Sequence, residues 1–180
     1  MLYYYDEGAM ALKVRKLTLM ALLTAIALTV FMIEAQIPSP VPIPGIKLGI
    51  ANIVTVFAVF AIGPGEGAMI LFARIFLGAV FAGNFSTILY SGAGGFCAIL
   101  ATIGLRKVLT QNQLWVAGAF GAVAHSLGQM AVAVAITGTP ALIAYLPVMT
   151  VCSIITGIFT GLCAQFVYNR GNKIWKTFLK

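Results

Sequence analysis

Leu17–Ile33 reads LTLMALLTAIALTVFMI, seventeen residues without a charge, preceded by Lys13, Arg15 and Lys16 and followed within five residues by Pro38. A run of this length is longer than a signal-peptide core, and no small-x-small cleavage site follows it. Its apolar side chains go all the way round a helix rather than along one stripe. The solvent they require is therefore lipid or other helices. The rest of the chain repeats this pattern. Of 180 residues, 61% are hydrophobic and 8% charged, against about 25% charged in a soluble domain.

The reading that follows is an all-α, polytopic membrane protein of about six transmembrane helices. Residues 1–16 form an N-terminal segment, 17–168 the six-helix domain and 169–180 a basic tail. The first helix continues to about Ile37. Pro38-Ser39-Pro40-Val41-Pro42-Ile43-Pro44-Gly45 then forbids helix, because each proline lacks a backbone donor and crowds the preceding turn. The second span, Leu48–Ile62, is short and ends at Gly63-Pro64-Gly65. The third runs from about Gly67 to Gly83, the fourth from Ser86 to Leu105, and the fifth from Leu114 to Ile136. The sixth lies within Ala141–Tyr168 and starts properly after Pro147. At about 20 residues per span, 180 residues leave no room for a large soluble part.

Charge orients the bundle. With six spans and the N-terminus inside, Lys13, Arg15, Lys16, Arg106, Lys107, Arg170, Lys173, Lys176 and Lys180, nine of the eleven basic residues, face the cytoplasm. Only Lys47 is in an outer segment, and Arg74 lies within the third span. This bias predicts a cell-membrane protein with both termini cytoplasmic. It accounts for the net charge of +7 through contact with an anionic inner leaflet and membrane lipid, not nucleic acid.

Polar groups inside a bilayer are costly, so their positions carry information. Placed by depth, they collect in the outer half. Glu34 ends the first helix, Lys47 and Asn52 begin the second, and Asn84 and Ser86 cap the third and fourth. Arg74 is near the middle of the third. His125 is near the middle of the fifth, with Gln129 one turn further out on the same face. Glu34, Lys47, Asn52, Arg74, Asn84, His125 and Gln129 are the candidate substrate-binding residues, with Glu34 at the rim of an outward-facing cavity. Arg74 lies about ten residues from the outer end of its helix, or roughly 14 Å. A direct pair with Glu34 would be strained, so an anionic ligand is the better partner. Each residue also has a structural reading as an interhelical bond or an interfacial side chain.

Other chemistry is excluded by what is missing. No GxxxxGK loop is present for ATP. Asp6, Glu7, Glu34 and Glu66 are the four acidic residues, too few and too scattered to hold magnesium and a diphosphate. Cys97, Cys152 and Cys163 show no CxxC spacing, and a lone histidine makes no metal site. No cofactor, metal or catalytic residue is expected. Ala21-x-x-x-Ala25 and Gly157-x-x-x-Gly161 place small residues one turn apart, as close helix contacts require. The glycines, with Gly92, Gly94 and Gly95, suit packing within the chain.

The stretches PGIKLGIANI (Pro44–Ile53), Gly83-Asn84-Phe85, Ser91-Gly92-Ala93-Gly94-Gly95 and His125-Ser126-Leu127-Gly128-Gln129 resemble the bacterial family described as heptaprenyl diphosphate synthase component I, also called the Gx transporter family. The resemblance covers roughly residues 12–168. Ser126 stands where the family motif has asparagine. That family in turn is similar to the S-components of energy-coupling-factor (ECF) transporters, six-helix subunits with a substrate pocket near the outer face. The resemblance implies an S-component-like bundle that binds a small molecule for uptake. Its partners would be a transmembrane coupling subunit and ATPase subunits, with Ala21 and Ala25 matching the alanine pair that contacts the coupling subunit. The synthase label implies an alternative, a non-catalytic membrane subunit binding an isoprenoid, quinone or flavin for a synthase or an electron-transfer complex. An integral-membrane enzyme is a third and weaker reading, since prenyl elongation needs aspartate-rich magnesium sites that this sequence lacks.

Overall fold

The computed structural model describes residues 7–37 and 49–178, the side chains of 7–9, 11 and 172–178 excepted. Lys47 and the proline-rich segment lie outside the described residues. The described chain is helical, with α1 at Glu7–Glu34, α2 at Asn52–Ala61, α3 at Pro64–Ala82, α4 at Ser86–Arg106, α5 at Leu114–Thr137 and α6 at Leu146–Phe178. A short 3-10 turn, Pro140–Tyr145, leads into α6. The helix therefore begins one residue before Pro147, and it runs on beyond Tyr168 through the segment read from sequence as a tail.

Helix ends follow local chemistry. Pro64 occupies the first turn of α3, where its missing N–H costs nothing. Gly83 closes α3 at φ +62°, its N–H reaching the Ala79 and Val80 carbonyls, and Gly138 closes α5 in the same left-handed conformation. Asn84 Oδ1 accepts from the backbone N–H of Ser86, an otherwise unpaired donor in the first turn of α4.

Five helical segments are long and apolar enough to cross a bilayer: 12–34, 64–82, 86–106, 114–137 and the segment 140–171. Their outer faces carry large side chains such as Leu22, Phe76, Phe96, Phe120 and Phe159, all exposed. An apolar surface of this extent suits lipid and not water. This is a helical membrane bundle and a multi-pass membrane protein.

The short second span needs its own account. Ten residues of α2 rise about 15 Å, half the hydrocarbon thickness. Contacts at its two ends nevertheless show the chain returning across the bundle. At one end, Ala51 N–H donates to Glu34, the last residue of α1. At the other, Glu66, two residues into α3, forms an ion pair with Lys16 near the start of α1. So α2 and the turn after it cover the same depth as Lys16–Glu34, and α2 runs antiparallel to α1. It touches each of the other five helices, and seven of its ten residues are buried. A helix wrapped by its neighbours needs no lipid-facing length.

Close packing of α4, α5 and α6 rests on glycine. A Cβ on Gly118 of α5 would lie 2.3 Å from the Gly157 carbonyl and 2.7 Å from Gly161 Cα of α6. On the other side of α5, a Cβ on Gly128 would meet the Ala93 carbonyl at 2.7 Å. The Gly157-x-x-x-Gly161 pair thus packs within the chain, as its spacing suggests. Gly94 and Gly95 also pack closely, whereas Gly92 faces open space.

Candidate functional site

The close α4–α5 approach has a chemical consequence. A Cβ on Gly94 would fall 2.9 Å from Gln129 Cγ and 3.0 Å from His125 Cε1. Only a glycine here lets the two side chains lie flat against α4. On the α2 side, a Cβ on Gly49 would be 3.1 Å from Asn52 Nδ2 and 3.6 Å from His125 Cδ2. Gly49 has φ +81°, a conformation that L side chains rarely adopt. The residues before α2 thus close over His125 and Asn52 together, bringing one polar side chain of α2 beside two of α5.

Glu34 fixes this closure. Its carboxylate accepts hydrogen bonds from the backbone N–H groups of Gly49 and, at 3.2 Å, Ala51. A carboxylate at the amino end of a helix satisfies orphan donors and complements the helix dipole. Sequence reading places Glu34 at a cavity rim. In the structure it is 4% exposed, because the chain folds back over it and supplies these two donors.

Arg74 of α3 completes the cluster. It is buried, and its guanidinium lies 5.6 Å from the centroid of the Phe31 ring, a cation–π contact. Phe31 is one helical turn before Glu34. Among the described residues no Arg74–Glu34 ion pair forms within 4.0 Å, and Lys16–Glu66 is the only ion pair.

Asn52, Thr55, Arg74, His125 and Gln129 are each at most 6% exposed. Both polar atoms of Asn52, both of Gln129, Thr55 Oγ1, Arg74 Nε and His125 Nδ1 are buried without a hydrogen-bond partner among the described residues. Native proteins satisfy nearly all such atoms, so seven orphans on five residues set this cluster apart. Thr55 is absent from the sequence-derived candidates. The signal that would have found it is its position one turn after Asn52 on the same face of α2.

Other candidates fall elsewhere. Asn84 is exposed in the α3–α4 turn, its side-chain oxygen taken by the Ser86 backbone N–H and hydroxyl. Lys47 lies outside the described residues. Ser126 points away from His125 around α5, toward α6, where its hydroxyl bonds Ser153 at 2.5 Å. Ala21 and Ala25 are exposed on α1.

A model of the family described as heptaprenyl diphosphate synthase component I matches residues 23–167. The chain belongs to that family. The match reaches into every helix of the bundle and includes all members of the buried cluster. No curated protein and no solved structure matches the chain. A family described as one component of a synthase, together with a bundle of membrane-length helices, makes this family member a membrane subunit. Neither of its two fully described carboxylates is free for magnesium. Glu34 is tied to backbone N–H groups and Glu66 to Lys16.

Proposed function

We propose that this chain is a substrate-binding membrane subunit, similar to the S-component of an ECF transporter, that takes up a small anionic molecule while partner subunits hydrolyse ATP. The observation that carries the reading is the set of buried, unpartnered polar atoms on Asn52, Thr55, Arg74, His125 and Gln129. Burying an unpaired carboxamide, and above all an arginine without a counter-charge in contact, is costly. A ligand that supplies the missing partners offsets that cost and gains affinity from it. The lysine and arginine bias supports a topology with this end of the bundle outside the cell and both termini in the cytoplasm.

The coupling surface would be the exposed face of α1 around Ala21 and Ala25, where two methyl side chains one turn apart let a partner helix come close. Purification from native membranes, followed by mass spectrometry of the extracted small molecules, tests the binding reading. A stoichiometric polar ligand, lost in Arg74→Ala, is the expected result. Its absence, together with no loss of uptake in Arg74→Ala cells, overturns the reading. Replacing Ala21 and Ala25 by tryptophan should abolish co-purification with a coupling subunit and leave fold and ligand content intact.

One observation favours the second reading, a non-catalytic subunit that holds an isoprenoid for a synthase. A wholly apolar groove of about 310 Å³ runs between α1, α2 and α6, lined by residues including Leu19, Leu23, Ile26, Ile53, Phe57 and Val167. A prenylated lipid in the same extract would support it.

A further inference from the structure

The orphaned atoms also describe the molecule that would satisfy them, if the binding reading above holds. Arg74 Nε offers a donor on a cation. Asn52 and Gln129 offer more than donors, because each carboxamide brings its oxygen into the cluster along with its nitrogen, and in both residues both atoms lack a partner. Amide orientation does not alter this: whichever way the group is turned, one acceptor and one donor are buried. Thr55 Oγ1 adds a hydroxyl and His125 Nδ1 a ring nitrogen.

A ligand made only of acceptor oxygens, such as a diphosphate, can satisfy Arg74 and the two amide nitrogens. It leaves both amide oxygens facing an anion, which adds repulsion to the lost hydrogen bonds. A purely apolar ligand leaves every one of these atoms unpaired. Pairing a carboxamide completely requires an N–H beside a C=O in the ligand, as in a lactam, an imide or a ureide. The two carboxamides project from different helices and flank the same imidazole: Asn52 and His125 meet at Gly49, and Gln129 and His125 meet at Gly94.

We infer that the site takes a small anion that also carries a lactam- or ureide-type edge, read by Asn52 and Gln129, with its negative group at Arg74, and that it discriminates against prenyl or inorganic diphosphates. Selectivity of this kind is strong, because a ligand lacking the edge leaves buried polar groups unpaired.

The test uses the detergent-solubilised full chain and four probes. Orotate has the carboxylate and lactam edges, benzoate the carboxylate alone, uracil the edges alone, and inorganic pyrophosphate the charge alone. Calorimetry should give orotate at least tenfold tighter than each of the others. Asn52→Leu and Gln129→Leu, each verified by its melting curve as folded, should bring orotate to the affinity of benzoate and leave benzoate unchanged. Benzoate or pyrophosphate binding as tightly as orotate in the unaltered protein overturns the edge assignment and leaves the binding-subunit reading standing. Binding of none of the four overturns the proposed ligand class, whereas the binding-subunit reading is decided separately by the co-purified molecule.

Discussion

On the α6 side of α5, Ser126 and Ser153 bury two hydroxyls and bond them to each other, beyond the glycines that bring the two backbones together. On the side facing α2 and α4, the neighbouring His125 and the nearby Gln129 are as deeply buried, yet three of their polar atoms find no partner. Helix, depth and solvent are the same on both faces. The difference is that α6 supplies a complementary group at the right height, whereas α2 and α3 supply further orphans. A self-sufficient face holds the fold, and on the function proposed above the insufficient one serves recognition.

The largest effect expected on this contrast is at the sealed face. Gly118→Leu would drive a side chain into the α6 backbone, where even a Cβ lies 2.3 Å from the Gly157 carbonyl. It should abolish recovery of monodisperse protein in size-exclusion chromatography. A well-folded Gly118→Leu variant would break the claim that glycine contact holds α5 to α6.

Next comes the open face. Arg74→Ala should weaken ligand binding by more than tenfold in a titration with the co-purified molecule, because charge-assisted bonds in a low-dielectric site are strong. Arg74→Lys should recover little if the guanidinium contact is bidentate. Glu34→Gln should have a smaller effect than Arg74→Ala, since Glu34 acts through Gly49 and Ala51.

Without ligand, the open face carries the opposite sign. Gln129→Leu removes two unpaired buried atoms at similar volume and should raise the stability of the ligand-free protein by about 1–2 kcal/mol, seen as a higher Tm. A lower Tm would mean that Gln129 serves the fold.

The smallest effect is at the serine pair. Ser126→Ala should cost about 0.5–1 kcal/mol by leaving Ser153 unpaired, and the double variant Ser126→Ala with Ser153→Ala should recover part of it. Ligand affinity should not change in either.

Much of this was legible before any packing was known. The bilayer imposes a length on each helix, and a fixed rise per residue converts position into depth. The helices begin and end close to where Gly63-Pro64, Gly83, Arg106 and Gly138 place them. Depth also brought Glu34, Asn52, Arg74, His125 and Gln129 to one half of the membrane. Depth is a single coordinate, however. It cannot tell that Asn84, at the outer end of α3, points into the turn after it, or that Ser126 and His125 diverge around α5.

By itself, then, the sequence determined the class of solvent and the number of apolar helices, because both depend on composition or on spacing along one chain. The tertiary structure decided who meets whom. It turned Glu34 from a rim residue into the clasp of Gly49 and Ala51, added Thr55 to the cluster, and gave Ser126 a partner while leaving Gln129 without one. The physical reason is that azimuth around a helix acquires meaning only when another backbone comes within reach. Here that approach depends on glycines at Gly94, Gly118, Gly128, Gly157 and Gly161, whose missing side chains set which faces touch.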